Sequence, residues 1–292
     1  MPTFQHGSLT LNYEIFGGPE DRTVVFLHGL LLSTAMMEPL ARAFSERFRV
    51  VNFELHGHGK SSKPTDPGSY TMSAFADDVV ALADHLGCDK IGIFGTSLGA
   101  DVGLEAMLNA PRRVAGAVLE MPVLDTGART AIRVFARMAK ALRSKRAPRL
   151  MKTVANRMPS WPPGFPEAAE MLAADPVAGA AVIEGLLREA ERDRWAAVRT
   201  CSVPALVIGH RLDPLHAYRD AVHLASRLPN GYLLKARSIL EMRLRPGRIL
   251  QRTMDFMDGV FEGLSSPLDV LDEEPGEAAA NEAGEAAGEV AT

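Results

Sequence analysis

Apolar and polar positions along the chain follow two rhythms. "SLTLNYEIFG" alternates Leu9, Leu11, Tyr13 and Ile15 with polar partners, a period of two that predicts a half-buried antiparallel strand or hairpin. Further on come short runs, apolar throughout and rich in β-branched residues: "TVVFLHG" (23–29), "FRVVNFEL" (48–55), "KIGIFG" (90–95), "VAGAVLEM" (114–121), "PALVIGH" (204–210) and "GYLLKA" (231–236). Such runs suit strands buried on both faces. Between them, helical periodicity marks 36–46, 73–86, 98–109, 216–227 and 248–262, with Ser73 as the expected cap of the second and Asp77 and Asp78 near its start. Strand alternating with helix predicts an α/β fold, a mostly parallel sheet with helices on both sides. Between Met121 and Val203 the rhythm stops: helical spacing and the cluster "MPSWPPGFP" (158–166) read as a helical lid inserted after one strand.

That division gives a core of residues 1–121 and 201–264, a lid of 122–200 and a tail of 265–292. The tail carries eight acidic and no basic residues, so the net charge of −4 becomes +4 on residues 1–264. Rich in Ala, Glu and Gly, it has little to bury and is expected to be disordered. The lid is its electrostatic opposite. From Gly127 to Pro166 there is no Asp or Glu, against Arg129, Arg133, Arg137, Lys140, Arg143, Lys145, Arg146, Arg149, Lys152 and Arg157. Ile132, Phe135, Met138, Ala139 and Leu142 repeat at helical spacing, which predicts an amphipathic helix docked by its apolar face. Its cations are read as solvated, with attraction of an anionic substrate, contact with an acidic membrane surface, or pairing with the tail as sharper alternatives. Met121, Phe135, Met138, Met151, Trp161 and Phe165 would line a soft apolar pocket or belong to the core. Nucleic acid is not expected as a partner, since no binding motif accompanies the charge.

No apolar run reaches about 18 residues and the amino terminus has no basic-then-apolar leader, so neither a membrane span nor a signal peptide is expected. Cys88 and Cys201 stand far apart outside any CxxC, which suggests reduced thiols in a cytoplasmic protein. No ligand cluster or dinucleotide fingerprint calls for a metal or an organic cofactor.

The chemistry begins at "GTSLG", Gly95–Gly99, after the strand-like "KIGIF" and before the helical "ADVGLEAML". A serine at such a strand-to-helix elbow is pushed beyond the sheet edge, and flanking glycines relieve the crowding. Ser97 is the candidate nucleophile, and the amide of Leu98 points to the same spot. "FLHGLLLS" (26–33) offers a second amide, from Leu30, and two preoriented donors make an oxyanion hole. His28 is read as fixing that loop.

With "ELHGHGKSSKP" (54–64) and "VPALVIGHRLDP" (203–214) added in that order, the chain resembles the α/β-hydrolase fold superfamily, its lid-bearing esterase and lactonase-like branch, from about residue 8 to 262. The resemblance implies that His56 and His58 are structural and that Asp213 is the acid orienting an imidazole. It offers a second acid in Glu120, where relatives such as haloalkane dehalogenases keep a carboxylate. It also places a histidine after the last strand, among Arg237, Ser238, Ile239, Leu240 and Glu241, and none stands there. Of the histidines following Ser97, His223 falls in a helix between arginines, His210 at a strand end, and His216 three residues past Asp213. His216 is therefore the candidate for a relocated base, oriented by Asp213, Asp220 or Glu120. The chain then reads as a serine hydrolase for a carboxylic ester, lactone or thioester, working through an acyl-enzyme on a small acyl substrate. The alternative is a binding or scaffold protein on the same fold that has lost its base.

Overall fold

The computed structural model describes residues 2–159, 165–189, 194–213, 215–238, 241–244 and 247–264, without the side chains of 125–131, 165 and 243–244. The expectations for the acidic tail, Trp161, Ile239, Leu240 and the side chains of Arg129 and Phe165 lie outside the described residues.

The alternating opening segment forms a hairpin, β1 (Thr3–His6) and β2 (Leu9–Phe16), paired antiparallel through Phe4 and Leu11. The apolar runs form β3 (Thr23–Leu27), β4 (Arg49–Glu54), β5 (Ile91–Thr96), β6 (Val114–Glu120), β7 (Ala205–Leu212) and β8 (Gly231–Ser238). Together they make one eight-stranded sheet in the order β1-β2-β4-β3-β5-β6-β7-β8. β2 joins β4 antiparallel, and every pairing beyond it is parallel. The long jump from β4 back to β3 and on to β5 puts β5, with the elbow at its end, in the middle of the sheet.

Helices α1 (Thr34–Phe44), α2 (Met72–His85) and α3 (Leu98–Asn109) connect the first half of the sheet. Between β6 and β7 stand only helices among the described residues: α4 (Asp125–Leu142), α5 (Ala147–Ala155), α6 (Phe165–Ala173), α7 (Pro176–Glu189) and α8 (Trp195–Val198). α9 (Tyr218–Arg227) links β7 to β8, and α10 (Glu241–Leu244) and α11 (Gly247–Phe261) follow.

Because side chains alternate across a strand, the apolar runs feed two cores. Val24 and Phe26 face α1 and α11, where Phe26 stacks on Phe94 at 5.0 Å and meets Phe44 edge-on at 5.1 Å. Val25 and Leu27 face the other way, onto Phe75 and Val79 of α2 and Leu104 of α3. Each large side chain buried this way contributes about 1.5–3 kcal/mol against the chain's entropy.

Several local expectations shift. The cap of α2 is Thr71, whose hydroxyl accepts from the Ala74 amide, while Ser73 donates to Glu105. Asp78 does not serve the helix dipole; it is buried and accepts from His6 at 2.7 Å and His56 at 2.6 Å. β7 and β8 run two residues further than their apolar stretches, to Leu212 and Ser238, because the ladder continues as far as that pair. His210 thus lies within β7 and is buried, and His216 falls before α9, whose cap is Ala217.

The inserted helices rest on the core unevenly. α7 is buried from Ala178 to Ile183. A Cβ at Gly185 would stand 2.4 Å from the Pro67 carbonyl, so α7 can lie against the 67–70 turn only because glycine is there. At its far end Glu189 accepts from the Met72 amide at 2.7 Å. α4 presents Ala139 and Leu142 inward, with Arg133, Arg137 and Lys140 exposed, as its spacing predicts. An exposed Arg143–Glu184 ion pair joins α4 to α7 and is worth about 0–1 kcal/mol. No described helix is long and apolar enough to cross a membrane.

Candidate active site

Ser97 follows β5 directly and caps α3 with φ 55° and ψ −116°, outside the region ordinary residues favour. The glycines on either side make that turn feasible. A Cβ at Gly95 would lie 2.1 Å from the Gly99 carbonyl oxygen, and one at Gly99 would lie 2.2 Å from the Leu27 carbonyl oxygen. The elbow is pinned by the Ser97 amide, which donates to the Glu120 carbonyl at 2.8 Å. Two more non-glycine residues take positive φ at neighbouring strand ends, Leu31 at 59° and Met121 at 56°. Strain of this kind costs about 1–3 kcal/mol per residue and gathers where a site overdetermines its backbone.

The loop after β7 comes back over the elbow. His216 Nε2 stands 2.9 Å from Ser97 Oγ, and His216 Nδ1 stands 2.7 Å from Asp213 Oδ2. Asp213 also accepts from the amides of Leu215 at 2.8 Å and His216 at 3.0 Å through Oδ1. A carboxylate facing Nδ1 requires the proton there, which leaves Nε2 with a lone pair aimed at the serine hydroxyl. Burial pushes the Asp213 carboxyl up, but these hydrogen bonds and the His216 charge outweigh it and hold its pKa below the ordinary value.

The other sequence candidates are placed differently. Both His216 nitrogens are engaged without Glu120, so the supporting role expected of that residue is not the one it has. Its carboxylate takes His210 Nε2 at 3.0 Å and the Thr96 hydroxyl at 2.7 Å, fully buried beneath the elbow. Asp220 accepts from the Leu124 amide at 3.0 Å. Where the resemblance places a histidine, Glu241 instead accepts from the Arg237 amide at 2.6 Å and from Arg248. His223 pairs with Arg219 on an exposed face of α9.

The loop after β3 owes its shape to His28. The Gly29 carbonyl accepts from His28 Nδ1 at 2.9 Å and from the Leu32 amide at 3.2 Å, while His28 Nε2 accepts from the Leu55 amide at 3.2 Å. Those partners define a neutral ring protonated on Nδ1, and burial pushes its pKa down. Among the described residues, no other backbone group takes the amides of Leu30 or Leu98. In the HGHG loop, His56 donates to Asp78 and to the Ser69 carbonyl at 3.1 Å, and His58 Nδ1 faces the His56 carbonyl at 2.9 Å. Burial pushes the pKa of His58 well down.

One buried acid escaped the sequence reading. Asp101, in the first turn of α3, accepts from the Val123 amide at 3.0 Å beside Asp220's bond to Leu124. Two consecutive amides at the root of α4 are thus held by two carboxylates from the core. Burial, with Asp220 adding to it, pushes the Asp101 pKa up to about 7 against the pull of Arg194, Val123 and His216. A polar residue on an otherwise small and apolar helix turn was the available signal.

A family model described as alpha/beta hydrolase fold matches residues 22–237. The chain belongs to the α/β-hydrolase fold family. Among curated proteins it is 27% identical over 231 residues to 3-oxoadipate enol-lactonase 2 of Acinetobacter baylyi, a match covering 77% of this chain and 84% of that one. A candidate carbamate hydrolase, RutD of a Caulobacter species, is 37% identical over 107 residues, 36% of this chain and 39% of the relative. Among solved structures, the enol-lactonase from Burkholderia xenovorans superposes with a TM-score of 0.74 at 21% identity, covering 88% of this chain and all of that one. A thermophilic esterase from Thermogutta terrifontis gives 0.69 at 24% identity, with 87% and 94% covered. The two solved structures share the fold with this chain.

Proposed function

We propose that the protein is a serine hydrolase that cleaves a carboxylic ester, lactone or thioester through an acyl-enzyme, with Ser97 as nucleophile, His216 as base and Asp213 as the acid behind it. The observation that carries this reading is the unbroken line Ser97 Oγ–His216 Nε2–Nδ1–Asp213 Oδ2, at 2.9 and 2.7 Å. Serine has no useful nucleophilicity at neutral pH without a base in reach, and here one is in reach.

The steps follow from those positions. Ser97 Oγ bonds to the substrate carbonyl carbon while its proton passes to His216 Nε2, and Asp213 stabilises the imidazolium. The carbonyl oxygen, now an oxyanion, is held by the amides of Leu30 and Leu98. The bond from carbon to the leaving oxygen or sulfur breaks as Nε2 returns the proton to that atom. Water then gives its proton to Nε2 and adds to the acyl carbon. The ester bond to Oγ breaks, and Oγ recovers its hydrogen. For a lactone both halves stay on one molecule, which fits an enol-lactonase among the relatives.

A binding protein without a base is the competing reading; it rests on the absent histidine after β8, and the His216 contact weighs against it. Labelling with a fluorophosphonate decides between them. Covalent labelling of the natural protein, lost in both Ser97→Ala and His216→Ala, is expected. Labelling that survives His216→Ala removes that residue from the role, and no labelling of the natural protein overturns the reading. We also place the protein in a reducing compartment such as the cytoplasm, a reading supported by two free, buried cysteines, Cys88 and Cys201.

A further inference from the structure

A half-open cavity of about 650 Å³ lies between α5 and α6 of the insertion and the loops after β3 and β4. That volume is within the range that holds a small organic ligand. One wall is apolar, formed by Leu31 and Leu32, and it adjoins the elbow. A methyl placed on Gly29 would sit 3.3 Å from Leu32 Cδ1 and 3.8 Å from Ser97 Cβ, so cavity wall and nucleophile flank one spot. Three cations also line the cavity, Arg149 and Lys152 on α5 and Lys63 from the HGHG loop.

Arg149 and Lys152 stand three apart on one helix face, where like charges repel. Among the described residues neither side chain makes a hydrogen bond or ion pair, and no acidic residue occurs between Gly127 and Pro166 to offset them. Lys63 is held by the Gly59 and Ser61 carbonyls, which orient its charge without cancelling it. Two carboxyl groups also line the cavity. Asp175 is spent on the amides of Val177 at 2.9 Å and Ala178 at 2.8 Å. Glu170 is pushed toward its protonated form by burial and by Glu54 and Glu167, against a hydrogen bond from Ser33.

We propose that this cavity binds a carboxylate at the far end of the substrate's acyl part: the apolar wall takes the methylene chain leading away from Ser97, and Arg149, Lys152 and Lys63 take the anion. The proposal deepens the hydrolase reading and rests on it for the identity of the ligand. It makes the preferred substrate a half-ester, lactone or thioester of a short dicarboxylic acid. Arg149 supplies a planar fork for the two carboxylate oxygens, and Lys152 and Lys63 supply point charges.

Two p-nitrophenyl esters of equal chain length test it, the neutral pentanoate and the mono-ester of glutarate. The glutarate ester is expected to have the higher kcat/KM, by about tenfold at low salt and less as salt is added. Combining Arg149→Ala and Lys152→Ala should remove that preference through KM, with kcat and pentanoate hydrolysis little changed. Equal kcat/KM for the two esters, or a preference that survives the double variant, overturns the proposal and leaves the Ser97 chemistry standing. Calorimetric titration of Ser97→Ala with glutarate gives a readout without turnover. Binding abolished by the double substitution supports the anion site even if neither ester is hydrolysed. Binding of inorganic phosphate but not glutarate overturns the carboxylate assignment, and binding of neither overturns the site.

Discussion

Two histidine–carboxylate pairs stand at the ends of β6 and β7, similar in chemistry and different in surroundings. In His216–Asp213 the carboxylate holds Nδ1 and the free Nε2 faces Ser97. In His210–Glu120 the carboxylate holds Nε2 and the pair is sealed from solvent. Burial lowers the pKa of His210, but the hydrogen bond and charge of Glu120, with Asp213 beyond, raise it above the ordinary value on balance. Buried and clamped at Nε2, the His210 imidazole makes no hydrogen bond to the Ser97 hydroxyl, whose partner among the described residues is His216. An imidazole paired with a carboxylate is thus aimed at Ser97 in one place and braces the elbow from beneath in the other.

Exchanging the two histidines for alanine should separate them most clearly. His216→Ala is expected to lower kcat by about 10⁴–10⁶ with the fold intact. His210→Ala should instead cost about 3–5 kcal/mol in denaturant unfolding, because it leaves Glu120 buried and unpaired, with a far smaller loss in kcat. Folded His210→Ala as inactive as folded His216→Ala would break the comparison.

The acids sharpen it next. Asp213→Asn should lower kcat by about 10³–10⁴ by favouring the wrong imidazole tautomer, whereas Glu120→Gln keeps the elbow chemistry and is expected to stay within about tenfold. A steady-state assay of both variants checks this, and equal losses would merge the two pairs into one unit.

The pH dependence gives a smaller effect with a definite sign. A histidine whose pKa is raised on folding stabilises fully below about 6.5, its unfolded value, and loses that contribution as pH rises through the folded pKa. Melting of the natural protein should therefore fall from pH 6.5 toward 9, and Glu120→Gln should flatten that decline. Asp213 behaves oppositely: its contribution is present above the unfolded carboxylate value and fades as pH drops through the depressed folded one.

Asp101→Asn probes a buried acid outside both pairs. Its carboxyl is raised to about 7, so ionisation costs stability increasingly from the unfolded value up to that pH. Asparagine keeps an acceptor for the Val123 amide. The variant is expected to match the natural protein near pH 4 and exceed it above pH 7, measured by urea unfolding at both pH values. The reverse order would show that the charge, not the acceptor, holds the root of α4.

Much of this was legible in the chain itself. The six apolar runs lie at their strands within a residue or two, and Leu98–Asn109 forms a helix over the range its periodicity predicts. The errors are at ends and caps. Thr71 and Ser73 are both chemically able to cap α2, and only the path of the chain into the helix chooses Thr71. Glu120 was legible as a buried acid at a strand end, but its partner was not, because His210 reaches it across the sheet from a strand 90 residues away.

What the sequence by itself determined is local: the strands and helices, through the period of their apolar residues, and the elbow, through two glycines without which Ser97 could not take its backbone angles. The reach of the imidazole to Ser97 belongs to the tertiary structure. His210 ends the apolar run and His216 follows it, three residues past Asp213, a spacing that marks His216 as the candidate without fixing its distance to Ser97. His210 is the sixth residue of β7, paired with Ala236 and directed into the sheet interior, while His216 lies past the strand, where Asp213 folds the loop back over β5. Distance between Oγ and a ring nitrogen is set by how the ends of β5 and β7 meet in space, and that exists only once the sheet is assembled.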